Sequence, residues 1–278
     1  MSRPSQPLRR GSSAEVVARN IRADIEAGRY VHGEQLPSTK ELAREWGTST
    51  ATVSRAMQML AADGLVVNRA RSSRIVQFQP RAHRTGDTAS PVAVLVGGYA
   101  GSGKTELGRI LARTTGWAIL DKDTTTRPVV EAALEKLGLS PHDRESETYR
   151  TVVRPAEYTA LTAAIMENVE CGVSVVATAP FIRELNDQAW CDRLRASVTA
   201  AGGQLHVVWV RCDPDSMLHY LRHRGAARDT AKLAAWEDYL AGVDLDFTPA
   251  IEHVIIDNSR GARPLSEQAE QFIKAVQA

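Results

Sequence analysis

Eight residues near the middle of the chain, Gly98-Tyr-Ala-Gly-Ser-Gly-Lys-Thr105, have the types and spacing of a loop that holds phosphate. They fit the pattern G-x-x-x-x-G-K-[ST], and Gly97 and Gly101 add backbone freedom around it. Each residue type has its own reason. Glycines let successive N–H groups turn inward, the Lys104 ammonium reaches the β and γ phosphates, and the Thr105 hydroxyl can ligate Mg²⁺. The flanks agree: Val92 to Val96 is the apolar run of a buried strand, and Lys104 to Thr115 has helical character, so phosphates would meet a helix N-terminus. The expected ligands are ATP, or a related nucleoside triphosphate, and Mg²⁺. Gly98, Gly101, Ser102, Gly103, Lys104, Thr105 and Glu106 are the residues expected to hold them.

A phosphate loop needs a sheet behind it. Besides Val92 to Val96, the runs Trp117 to Leu120, Val173 to Ala179, Leu205 to Val210 and His253 to Ile256 read as strands separated by helix-sized intervals. Five such strands predict an α/β domain with a parallel sheet and helices on both faces, whose ligands bind at the carboxyl ends of the strands. The second strand runs into Asp121-Lys-Asp123 at that edge. This domain resembles the small-molecule kinases of the P-loop type, particularly the zeta-toxin-like branch. The resemblance rests on Gly98 to Thr105, Asp121-Lys-Asp123, Val175-Val-Ala-Thr-Ala-Pro-Phe181 and Leu221-Arg-His-Arg-Gly-Ala-Ala-Arg-Asp229.

That resemblance implies catalytic roles for Lys104 and for Asp123, the base on the acceptor side. It also implies Mg²⁺ held by Thr105, Asp121 and Asp123, and a lid of Arg222, Arg224 and Arg228 over the nucleotide phosphates. A solvated helix face accounts for those arginines equally well. Relatives often carry an aspartate near the position of Thr178; this chain has none between Val173 and Phe181. The long stretch from Thr124 to Gly172 carries Arg127, Arg144, Tyr149, Arg150 and Arg154. It suits a cap closing on an anion, or simply covering helices with charged outer faces. His206, His219, His223 and His253 lack metal-ligand spacing.

The first quarter of the chain carries a different pattern. Val16, Val17, Ile21 and Ile25 give a first helix, Ala14 to Ala27, ending at Gly28. Ser38 and Glu41 form a capping box for a second helix, Thr39 to Trp46, and Gly47-Thr-Ser leads into a third, Ala51 to Ala62. Leu65 to Asn68 and Ser73 to Phe78 read as β segments around an arginine-rich tip. The segment resembles the winged helix-turn-helix of the GntR family of bacterial transcription regulators. The residues that carry the likeness are Ile25-Glu-Ala-Gly28, Gly33-Glu-Gln-Leu-Pro-Ser-Thr-Lys-Glu-Leu-Ala43, Ser49-Thr-Ala-Thr-Val-Ser-Arg-Ala56 and Leu60-Ala-Ala-Asp-Gly-Leu65. It implies double-stranded DNA as partner, with Ala51 to Leu60 as recognition helix. Ser49, Thr50, Thr52 and Arg55 then lie near bases or phosphates, and Arg69, Arg71 and Arg74 lie on the wing. Ser38, Thr39 and Lys40 are further candidate DNA contacts. The chain departs from the family at Thr50, where an Arg is usual, and at Ala70 and Ser72, where glycines are. A winged helix used for protein contacts is the alternative.

Charge divides the same way. Residues 1–90 carry 14 Lys and Arg against 8 Asp and Glu, whereas the remainder carries 20 against 25. A basic first part suits a polyanion partner. The expected bounds are a DNA-binding domain over 12–79, a linker over 80–91 closed by Pro80 and Pro91, and a nucleotide-binding domain over 92–278. Cys171, Cys191 and Cys212 are odd in number and without C-x-x-C spacing, so buried thiols are expected. With 43% hydrophobic residues, no membrane-length apolar run and a polar Met1 to Ser13, a cytoplasmic protein without membrane contact is expected. The combination suggests a homodimeric regulator whose operator affinity responds to nucleotide. A small-molecule kinase with an autoregulatory DNA module is the alternative, and a DNA-dependent ATPase a third.

Overall fold

The computed structural model describes residues 14–26, 29–68, 74–78, 90–225 and 229–277. The chain divides into two compact units, Met1–Asp87 and Thr88–Ala278.

The first unit packs three helices, α1 (Ala14–Glu26), α2 (Thr39–Glu45) and α3 (Thr50–Ala62), with a two-stranded antiparallel ribbon, β1 (Val66–Asn68) and β2 (Arg74–Val76). Apolar residues at helical spacing decide the packing. Val17, Ile21 and Ile25 of α1 share one core with Leu42 of α2 and with Val53, Ala56, Met57 and Leu60 of α3. Each large side chain buried there contributes about 1.5–3 kcal/mol. Ser38 caps α2 in a capping box with Glu41, and Ser49 caps α3 through the Thr52 N–H. The ribbon pairs Val66 with Val76 and Asn68 with Arg74. Gly28 and the tip residues Arg69, Ala70, Arg71 and Ser72 lie outside the described residues.

In the second unit, β3 (Val92–Gly97), β4 (Ala118–Asp121), β5 (Val175–Thr178), β6 (Gln204–Arg211) and β7 (Val254–Asp257) form a parallel sheet in the order β4-β5-β3-β6-β7. The central strand β3 is buried at every position, as its unbroken apolar run requires. Alternate side chains enter two cores. On one face Ala93, Leu95, Val175, Ala177 and Val207 meet α6 (Arg154–Glu170), α7 (Ile182–Leu185) and α8 (Gln188–Ala200) through Leu161, Ile165, Leu185 and Leu194. On the other, Val94, Val96, Val176, Val208 and Ile256 meet α4 (Lys104–Thr115) and α12 (Leu265–Gln277) through Leu107, Leu111, Ala269 and Phe272.

Between β4 and β5 the chain forms α5 (Lys122–Lys136) and a π-helical turn, Tyr149–Val153, that runs directly into α6. After β6 come α9 (Pro214–Arg224), α10 (Thr230–Ala234) and α11 (Trp236–Ala241). Among the described residues no helix is long and apolar enough to cross a membrane. Cys191 and Cys212 are buried, as expected, but Cys171, at the C-terminal cap of α6, is exposed.

Candidate nucleotide site and DNA-facing helix

The phosphate loop links β3 to α4 at the carboxyl edge of the sheet. Gly98, Gly101 and Gly103 all have positive φ, and each stands where a methyl group would not fit. A Cβ at Gly98 would lie 2.5 Å from Ser102 Oγ, at Gly101 2.8 Å from the Met217 carbonyl, and at Gly103 2.2 Å from Asn258 Nδ2. The loop is held from three sides. The Gly98 N–H donates to the Pro180 carbonyl at 3.2 Å, the Ser102 N–H to the Tyr99 carbonyl at 3.2 Å, and Asn258 Nδ2 to the Ser102 carbonyl at 3.0 Å. Gly103 leaves α4 without a side-chain cap, so the first N–H groups of that helix are left for a ligand. The Lys104 ammonium folds back over the loop to the Tyr99 carbonyl at 3.4 Å. Ser102 Oγ is buried without a partner among the described residues. A glycine cradle, an uncapped helix start and a lysine above them fit the phosphates of a nucleotide.

Beside the loop, strand register does the positioning. Asp121 pairs with Thr178, and Thr178 with Val96, so the ends of β4, β5 and β3 lie level. Thr105 Oγ1 from α4 and Thr178 Oγ1 from β5 both donate to Asp121 Oδ2, at 2.9 and 2.7 Å. Asp121 also caps α5, accepting the Thr124 N–H on Oδ1 at 2.9 Å. Burial raises the Asp121 carboxyl pKa, but the bonds from Thr178, Thr124 and Thr105 outweigh it and leave the carboxyl below its ordinary value. A carboxylate kept ionised between two hydroxyls fits a hard cation. α4 approaches closely enough to reach it because Gly108 has no side chain: a Cβ there would lie 2.3 Å from Thr178 Cγ2.

Asp123, expected as both base and metal ligand, lies in the first turn of α5, two residues beyond Asp121. Its Oδ1 lies 3.0 Å from Lys122 Nζ, and no group of three or more His, Cys, Asp or Glu able to hold a metal forms among the described residues. Of the lid arginines, Arg222 stands exposed on α9, while Arg228 and the side chain of Arg224 lie outside the described residues. Two arginines of the long insertion are occupied: Arg154 makes a double bond pattern to Glu184 at 2.8 Å each, and Arg144 donates to the carbonyls of Pro141 and Asp143. Arg127 and Arg150 are exposed. Glu106 follows Thr105 on the exposed side of α4.

Three contributors carried little sequence signal. Asn258 clamps the loop; its carbonyl accepts from Cys212 Sγ at 3.4 Å and the Tyr220 hydroxyl at 3.3 Å. The Cys212 thiol is pushed up to about 12, by burial first and by Asp213 and Asp257 next, so it stays protonated. Tyr99 packs edge-on against Trp209 and Phe247 beneath the loop and accepts the Asp244 N–H on its hydroxyl. Lys122 and Glu157 form a buried ion pair at 2.7 Å, which no periodicity announces.

In the first unit α3 exposes Thr50, Ala51, Arg55 and Gln58, with Thr52 and Ser54 partly so. Lys40 is exposed on α2. Ser38 and Ser49 spend their side-chain oxygens on caps, Ser49 Oγ also pairing with Thr52 Oγ1 at 2.8 Å. Arg74 Nη1 donates to Thr39 Oγ1 at 2.8 Å, which ties the base of the wing to the start of α2. Arg69 and Arg71 lie outside the described residues.

These two sites define a DNA-binding helix-turn-helix domain joined to a P-loop domain of kinase-like fold. Comparison with known proteins agrees. Bacterial regulatory proteins of the gntR family match residues 13–76. The AAA domain family matches residues 94–245, more than half of the chain, and the chain belongs to that family. The shikimate kinase of Moorella thermoacetica is 38% identical over 110 residues, covering 36% of this chain and 57% of that protein; the chain thus spans little more than half the length of this curated relative. Among solved structures, a sugar kinase from Janibacter is 19% identical over 68% of this chain and 98% of its own, with a TM-score of 0.45. YtrA from Sulfolobus acidocaldarius, a GntR-family transcription factor, is 29% identical over 24% of this chain and 69% of its own, with a TM-score of 0.23.

Proposed function

We propose that the chain is a transcription regulator whose affinity for its DNA operator changes when ATP and Mg²⁺ occupy the P-loop domain. One observation carries this reading: the glycine cradle at Gly98 to Gly103 opens beside the Asp121, Thr105 and Thr178 cluster, so phosphate and cation find complementary groups side by side. Lys104 and the N-terminus of α4 would hold the phosphates; Thr105 and Asp121 would hold Mg²⁺, which neutralises charge on the β and γ oxygens. Thr178 fixes the Asp121 carboxylate in place of an additional carboxylate. The DNA-binding part is taken as 12–79, joined through 80–91 to 92–278, in a cytoplasmic homodimer. A helix-turn-helix dimer reads half-sites about 34–36 Å apart, so the operator is a palindrome.

The test is operator binding by the purified full chain, on DNA from its own upstream region, with and without Mg²⁺-ATP and Mg²⁺-ADP while phosphate release is followed. A coupling of about 1–3 kcal/mol changes operator affinity about 5- to 150-fold. Lys104→Ala should abolish the response, and unchanged ATP affinity in that variant would sink the phosphate-loop reading.

A second reading is phosphoryl transfer from ATP to a hydroxyl, with Asp123 as base. It is favoured by the place of Asp123 in the first turn of α5, next to the cation cluster, and by the similarity to a shikimate kinase. Asp123→Ala separates the two: a sensor keeps nucleotide-dependent DNA binding, whereas a kinase loses turnover and keeps nucleotide affinity.

A further inference from the structure

Lys122 lies between two carboxylates in sequence, at the first position of α5, yet it is only 4% exposed. Its Nζ donates to Glu157 Oε1 at 2.7 Å and stands 3.0 Å from Asp123 Oδ1. Glu157, on α6, is 4% exposed and fully engaged. Thr126 Oγ1 lies 2.7 Å from its Oε1, and the Tyr149 hydroxyl donates to its Oε2 at 2.8 Å. Burial, then the Glu157 charge, pushes the Tyr149 hydroxyl above its ordinary value, so it remains a donor. Tyr149 opens the π-helical turn, an arrangement that often marks functional sites.

Exchanging a buried ion pair for apolar residues of similar volume is often neutral or stabilising, so burial of this pair is weak evidence for a purely stabilising role. What it does is local. Two carboxylates in one helical turn repel, and Asp121 is already engaged by Thr105, Thr178 and Thr124. The Lys122 ammonium draws Asp123 to its own side and keeps the two carboxylates in separate places.

We propose that Lys122 is a positioning residue for phosphoryl transfer, holding the Asp123 carboxylate, and that Glu157 and Tyr149 hold Lys122. This rests on the phosphoryl-transfer reading above. In that step the Asp123 carboxylate takes the proton of the acceptor hydroxyl while the acceptor oxygen bonds to the γ phosphorus. The bond from that phosphorus to the bridging oxygen of ADP breaks, and ADP leaves with its electron pair. The inserted segment between β4 and β5 thereby sets the place of the base, since it supplies both residues that hold Lys122.

The experiment measures phosphate release from Mg²⁺-ATP by the full chain, with water as acceptor, in single and double variants. Asp123→Asn should lower turnover about 100-fold. Lys122→Met, Glu157→Gln and the milder Tyr149→Phe should lower it, the first two about 10-fold, while KM for ATP moves less than about 2-fold. Lys122→Arg should restore part of the loss. In an Asp123→Asn background Glu157→Gln should cost less than about 2-fold further, because its effect passes through Asp123. Absent wild-type turnover, or Asp123→Asn as active as wild type, overturns the phosphoryl-transfer reading and this inference with it. If Asp123→Asn is impaired but Glu157→Gln costs the same in both backgrounds, the reading stands and the positioning role is overturned.

Discussion

Replacing Gly103 by alanine tests the clamp on the phosphate loop, and Gly116→Ala supplies the control on the same helix. Both glycines have positive φ, 93° and 77°, one before α4 and one after it. An alanine in such a conformation costs about 1–2 kcal/mol of backbone strain. At Gly116 the added methyl meets nothing within 4 Å, so the cost ends there. At Gly103 it would come within 2.2 Å of Asn258 Nδ2, which is held on the Ser102 carbonyl. Displacing that amide forfeits a hydrogen bond worth about 0.5–1.5 kcal/mol, so Gly103→Ala should be less stable than Gly116→Ala by about that much. In a domain of this size that is about 1–6 °C in the calorimetric transition of the second unit. Mg²⁺-ATP at about 100 times Kd adds about 2.7 kcal/mol to any protein that binds it. Gly116→Ala should keep that gain and Gly103→Ala should lose it. Introducing Asn258→Ala should narrow the gap between the two. Equal melting of the two alanine variants, with or without nucleotide, would refute the clamp.

Two other outcomes follow from the geometry. Ser38→Ala and Ser49→Ala each remove a cap worth about 1 kcal/mol, so the transition of the first unit should fall. Operator affinity measured well below that transition should fall far more in Arg55→Ala, and the reverse order would undo the assignment of the serines to capping. For Asp121, the folded carboxyl lies below its ordinary value of 3.8, so its stabilising effect is present above that pH and lost as pH falls through the lower folded value. Urea midpoints of wild type and Asp121→Asn should therefore differ at neutral pH, draw together as pH falls below 3.8, and converge only once it has passed the lower folded value. A gap that widens in acid would contradict the bonds described at that carboxylate.

The strands and the phosphate loop were legible because their signals are local. An unbroken apolar run such as Val92 to Val96, or the glycine spacing from Gly98 to Gly103, is dictated by backbone geometry within a few residues. The helix-turn-helix was legible for the same reason, through the capping box of Ser38 with Glu41 and the turn Gly47-Thr-Ser. What the sequence hid is set by contacts across long separations. Asp123 reads as a base or metal ligand at the strand end, but nothing local announces that Lys122 bridges it to Glu157, 35 residues beyond Lys122 in the chain. Thr178 reads as a missing carboxylate until strand register places its hydroxyl on Asp121. The insertion arginines read alike, and only packing distinguishes Arg154, paired with Glu184, from the exposed Arg127 and Arg150.

The strand order has a consequence for how the chain is made. β3 carries the phosphate loop, yet its two neighbours in the sheet, β5 and β6, are translated long after it. The loop's own supports are late as well, Pro180 just after β5 and Asn258 beyond β7. The first unit draws its core from residues no further along than Phe78. At typical elongation rates roughly ten to forty seconds separate the synthesis of Phe78 from that of Asn258. For that interval a nascent chain carries a complete helix-turn-helix and an unassembled nucleotide site, so the two halves mature in sequence, the one that meets DNA first.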